Sequence, residues 1–182
     1  MSKLSQGEEG LLKTLWKIGS ASSLREISVK TGLKKRSANM YLLRLKIAGY
    51  VSVSGEGHYA LTESGKEILG FPKIDKDLAA KILGKTSPDE SFNFYVEIDQ
   101  PLGVSSDNLS DFCDQIKSVD IRSIEFHVTR GDFELWVHSL GDIELAKRLR
   151  LIREANLTGE KLRETLYKAL KSRCEELTQK TA

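Results

Sequence analysis

Cysteine is almost missing from this chain: Cys113 and Cys174 are the only two among 182 residues. Neither has a second cysteine near it in sequence. Such spacing supports neither a disulfide framework nor a Cys-rich zinc site, so both are expected to be buried free thiols packing as small apolar side chains. Long apolar runs are missing as well, and none approaches the ~20 residues that a membrane helix needs. The opening "MSKLSQGEEGLL" lacks the charged-then-apolar order of a signal peptide. The expected location is therefore the cytoplasm, with no membrane partner. There is no Gly-rich phosphate loop, no nucleophile elbow and no pair of catalytic carboxylates beside a Cys or Ser. We expect no enzyme, no cofactor and no metal.

What is present is ordinary globular composition, 40% hydrophobic and 30% charged, with a net charge of +2. The charge is uneven. Residues 1 to 70 hold 11 Lys and Arg against 6 Asp and Glu, a net +5, while the remainder holds 17 against 20, a net −3. A basic head on a mildly acidic body suits a polyanion as the partner of the head.

Leu11, Leu12, Leu15 and Ile18 fall on one side of a helix over residues 6 to 18, with Trp16 at its edge. "SLRE" at Ser23 to Glu26 is a capping box that opens a second helix, and Gly32 ends it. A third helix runs from about Lys34 to Ala48, with Ala38, Leu42 and Leu45 inward and Tyr41 beside them. After Gly49, "YVSVS" and "HYAL" alternate as the two strands of a hairpin whose tip is Gly55-Glu56-Gly57. Thr62 caps a further helix.

This order, carried by "LREISVKTGL", "LLRLKIAGYV" and "YALTESGKEIL" over about residues 5 to 70, resembles the winged helix-turn-helix transcription regulators. In that family the third helix enters the major groove and the hairpin wing touches flanking DNA. The resemblance implies that Arg36, Ser37, Asn39, Met40 and Arg44 face bases, that Lys34 and Lys35 meet phosphates, and that His58 sits at the wing. Arg and Asn suit these roles because each can make paired hydrogen bonds to a base edge, guanine and adenine respectively. Lysines hold phosphates without reading sequence. The alternative is a solvated charged face. Two features depart from the family. Glu56 at the wing tip repels phosphate, and Met40, Leu43 and Ile47 form an apolar stripe that calls for a cover, from a second protomer or from the C-terminal part.

A short helix over Asp75 to Leu83 and the stretch "GKTSPDES" read as linker, giving a winged-helix domain over 1–70, a linker over 71–90 and a C-terminal domain over 91–182. In the last, "FNFYVEID" alternates as a half-buried strand, with Phe92, Phe94, Val96 and Ile98 on one face, and "QPLG" reads as a turn. Ser106 or Asp107 is placed to cap a helix striped by Leu109, Phe112, Cys113, Ile116 and Val119. Residues 121–129 fit a strand or a helix. Shorter helices follow over Phe133 to Leu140 and Ile143 to Ile152. The terminal helix starts at a Thr158 cap and carries Leu162, Leu166, Leu170 and Leu177. It either closes a dimer or packs within its own domain.

The run "IEFHVTRGDFELWVHSLGDIELAKRL" resembles a domain family of unknown function from archaea and some bacteria, by its Ser-hydrophobic-aromatic-His, Asp-Phe-x-x-Trp and Gly-Asp-x-x-Leu-Ala stretches. That resemblance implies a mostly helical module and no activity. His127, Arg130, Asp132, Glu134 and His138 are its dense polar cluster; the order matches no known metal-ligand motif, and a structural network is the competing reading.

The expected fold class is α+β, mostly helical: an N-terminal winged helix-turn-helix and a C-terminal helical module with one or two strands. The expected function is a dimeric DNA-binding transcription regulator acting on double-stranded DNA, with no effector identifiable. The other reading is a protein-interaction module that docks through Met40, Leu43 and Ile47.

Overall fold

A serine opens each of the first two helices. Ser5 caps α1 (Gln6–Ile18) and Ser23 caps α2 (Leu24–Thr31), each accepting the amide of a glutamate that bonds back to the cap, Glu8 and Glu26. Gly32 ends α2 in the left-handed conformation, φ 70°, which costs glycine little. Helix α3 (Lys35–Ile47) follows, with Ala38, Leu42 and Leu45 buried. Strands β1 (Ser22–Ser23), β2 (Val51–Val53) and β3 (His58–Leu61) form an antiparallel sheet in the order β1-β3-β2. Helix α4 (Glu63–Ile68) is capped by Thr62. The Thr62 hydroxyl also donates to the Gly49 carbonyl at 2.7 Å, tying the end of the hairpin to the exit of α3. Leu11, Leu12, Leu15, Ile27, Leu42, Leu45 and Val51 make the core. Trp16, expected at the edge, is buried and stacks on Phe71 with centroids 4.9 Å apart.

The computed structural model describes residues 4–182 and divides into two units, Met1–Lys73 and Ile74–Ala182. The division falls near the start of the expected linker rather than at its end, because α5 (Lys76–Leu83) belongs to the second core: Ile74, Ala79 and Ile82 are buried in it. The "GKTSPDES" stretch is no free hinge either. Thr86 donates its amide and hydroxyl to the Asp107 carbonyl, Lys85 pairs with Asp107 at 2.8 Å, and the Trp136 indole donates to the Glu90 carbonyl after one turn of 3-10 helix over Pro88–Glu90.

Strands β4 (Phe92–Glu97) and β5 (Gln100–Ser106) form an antiparallel hairpin. "QPLG" is therefore strand, not turn. The turn is Ile98-Asp99, where Asp99 takes φ 61°, a conformation its short polar side chain tolerates; Ile98 is consequently exposed. Helix α6 (Leu109–Ser118) is capped by Asn108 rather than by Ser106 or Asp107, and its expected stripe is buried throughout. Residues 121–129 are helical, within α7 (Ile121–Arg130), which Asp120 caps and left-handed Gly131 stops. Helices α8 (Asp132–Ser139) and α9 (Ile143–Glu154) follow. Helix α10 (Gly159–Thr181) has no side-chain cap from Thr158; its first amide, that of Gly159, donates to Glu125 Oε1 at 2.9 Å. The α10 leucines are buried against α5, α6 and α9 of the same unit, so a dimer seam on that stripe is not available. The whole is α+β and mostly helical.

Candidate functional site

Helix α3 presents opposite faces of different chemistry, because 3.6 residues per turn separates Ala38, Leu42 and Leu45 from the side chains between them. Lys34 is the cap residue of the helix, its carbonyl accepting the Ala38 amide at 3.0 Å while its side chain makes no cap bond, and Lys34, Lys35, Arg36, Asn39 and Arg44 are all exposed. Arg44 lies 4.0 Å from Glu8; Arg36 and Asn39 make no side-chain hydrogen bond or ion pair among the described residues. Ser37 is half-buried. Met40, Leu43 and Ile47 are 43%, 55% and 79% exposed, so the apolar stripe runs uncovered along the same face as Arg36. His58 is half-buried at the start of β3, opposite Ser23 in the β1–β3 pairing, with its ring 3.9 Å from Glu56. The wing thus offers one imidazole beside a carboxylate.

The polar cluster of the second unit separates into pieces. His127 is buried, and its Nε2 accepts the Tyr95 amide at 2.9 Å. An amide can only donate, so the ring proton sits on Nδ1 and is donated to Asp132 at 2.8 Å. Burial holds the imidazole below its ordinary pKa, against the opposing pull of Asp132. Arg130 donates to the same carboxylate at 3.0 Å and lies over the Phe126 ring. Glu134 pairs instead with Arg153, and His138 stands exposed on α8. A groove of about 480 Å³ runs beside these groups, lined by Tyr95, Ile98, Phe126 and Arg130. Both nitrogens of His127 are committed, so its imidazole is not free to act as a general base in the groove. Among the described residues, no three His, Cys, Asp or Glu side chains converge as a metal site would require. Nor, among them, is any helix long and apolar enough to cross a membrane.

A second polar centre was not legible in sequence. Arg173 of α10 is buried and forks onto Asp142, Nε to Oδ2 at 2.6 Å and Nη2 to Oδ1 at 2.9 Å. It also reaches Glu144 and Glu176 at 3.0 and 2.8 Å. Its guanidinium is driven above its ordinary range by these carboxylates despite burial that opposes the charge. Asp142 also caps α9 through the Leu145 amide. Only the "GD" before a helix start hints at this; a lone arginine on a polar-looking helix gives no sign of being inside.

The motif residues of the second unit therefore share one kind of task. His127 and Asp132 fix the hairpin to α7, Trp136 fixes the segment before β4, and Asp142 holds α9 to α10. No curated protein and no solved structure matches the chain. A family model does match over residues 73–171, opening where the second unit opens. The chain belongs to the Family of unknown function (DUF5752).

Proposed function

We propose that this protein is a cytoplasmic, dimeric transcription regulator that binds double-stranded DNA through α3 and its hairpin, a winged helix-turn-helix head. One observation carries the reading. Lys34, Lys35, Arg36, Asn39 and Arg44 all stand exposed on or just before a helix whose other face is locked in a core. Arg36, Asn39, Met40 and Arg44 read base edges, with Ser37 at their margin, and the two lysines hold phosphates. The contribution of the wing is confined to His58, since Glu56 repels the backbone.

A salt-titrated binding assay on random duplex tests this, followed by selection of preferred sites. Affinity falls with salt at a slope of about −0.9 per phosphate contact. Arg36→Ala weakens the selected site by ~1–3 kcal/mol and relaxes preference at one base pair. Equal affinity for every sequence, unchanged in the variant, would sink the assignment.

The exposed stripe of Met40, Leu43 and Ile47 supports a second reading, in which α3 docks on protein. Under it, duplex binding is absent at low salt, and Leu43→Ser with Ile47→Ser abolishes association with the partner.

A further inference from the structure

The two cysteines are remote in sequence and adjacent in space. Cys113 lies in α6 and Cys174 in α10, two helices packed along each other. Cys174 Sγ is 3.8 Å from the carbonyl oxygen of Leu109, which is the helical acceptor of the Cys113 amide four residues on. The Cys174 sulfur therefore rests on the very turn that carries Cys113, near enough for each thiol to perturb the ionisation of the other. Neither is in a disulfide.

We propose that Cys113 and Cys174 are an oxidation site, a thiol pair that closes to an intramolecular disulfide on reaction with hydrogen peroxide. The contact between them also divides their roles. The neighbouring Cys174 thiol draws the Cys113 thiol below its ordinary pKa, against burial and Asp114, while the same contact and burial push Cys174 up. Cys113 is thus the thiolate that attacks. Its sulfur takes one peroxide oxygen as the O–O bond breaks, and the departing hydroxide takes a proton to become water. Cys174 then attacks the sulfenic sulfur. The S–S bond forms, the S–O bond breaks, and the Cys174 proton leaves with the hydroxide as a second water. Two thiols are oxidised, one peroxide is reduced, and the balance is two waters. Cys113 is 6% exposed and Cys174 half-buried, so access is through the Cys174 side and favours a small oxidant. In a reducing compartment the bridge is transient and reverts with thiol reductant. Closed, it fastens α6 to the long terminal helix against which α5 and α9 also pack.

The full chain is reduced, freed of reductant, treated with hydrogen peroxide while folded, and then denatured in N-ethylmaleimide. The expected product has lost two hydrogens, takes no maleimide and yields one cross-linked peptide containing Cys113 and Cys174. Dithiothreitol restores two maleimide sites. In Cys174→Ser the reaction stops at a dimedone-reactive sulfenic acid on Cys113, and Cys113→Ser oxidises far more slowly. Cys174→Ala is run alongside in case serine disturbs the packing, and the wild-type peptide map needs no variant. Two alkylated thiols after peroxide, bridges between chains, or single-site sulfinic acid in the wild type each overturn the proposal.

Discussion

At Gly65 the side chain has been removed so that backbone can pass. A Cβ there would collide with the Tyr50 carbonyl oxygen and with a Leu61 methyl, both on the hairpin that α4 packs beneath. A carbonyl fixed by the Thr62 amide cannot swing away, so Gly65→Ala should cost about 1–3 kcal/mol. Chemical denaturation of the variant checks this, and a change under a few tenths would show that the contact relaxes. His127 gives a pH-dependent counterpart. Its pKa is lowered by burial, so the unfolded chain binds its proton more readily than the folded one. Stability from this group is present above its ordinary value of 6.5 and is lost as pH falls below it. Asp132 and Arg130 face the ring and share its environment. In melts at stepped pH, wild type loses stability through this interval more steeply than His127→Gln. Parallel slopes would remove His127 from the account. Neither residue was fully readable from the chain. Gly65 sits in "TESGKE" like any tolerated helical glycine, and His127 needed a partner, Tyr95, from another element.

Elements were legible where one local rule decided them. The stripe of α6 and the "SLRE" box each follow from residues within a turn or two of one another. "SQGE" at Ser5 is a capping box of the same chemistry as "SLRE". Strand β1 is two residues long, too short to show a period; it exists because β3 has a free edge beside it. Residues 121–129 satisfied two periods at once, and tertiary packing chose between them, with Ser123, Ile124 and His127 buried at helical spacing. Capping at a distance was invisible in the same way. Glu125 serves the first amide of α10, and Arg163 donates to the Ile116 and Val119 carbonyls at the exit of α6. The largest such debt lies between α9 and α10. Arg173→Met would leave Asp142 and Glu144 buried without their guanidinium, at about 3–5 kcal/mol. Protonating the carboxylates offsets part of that loss, so the variant should lie closer to wild type in mild acid than at neutral pH. Thermal melts at both pH values test the pair, and an equal gap at each would contradict it.

For the molecule, composition drew the second unit too short. Polarity made 71–90 read as linker, although Ile74, Ala79 and Ile82 sit in the second core. Residues 74–182 expressed alone should therefore keep their helical content and melt cooperatively, whereas a piece starting at residue 91 should not; circular dichroism separates the two. The candidate face of α3 was readable because exposure there follows from helix geometry alone, while the Arg173 centre and the cysteine pair depend on helices far apart in sequence. The β4–β5 hairpin has one more consequence. A two-stranded ribbon leaves two open edges, and each invites a strand from another molecule. On β4 the Tyr95 amide is turned away from β5 and is already taken by an imidazole; on β5 the edge carries Pro101, which has no amide to offer. Loss of His127 would therefore do more than loosen a core: it would free a hydrogen-bond donor on a sticky edge and turn the chain toward aggregation.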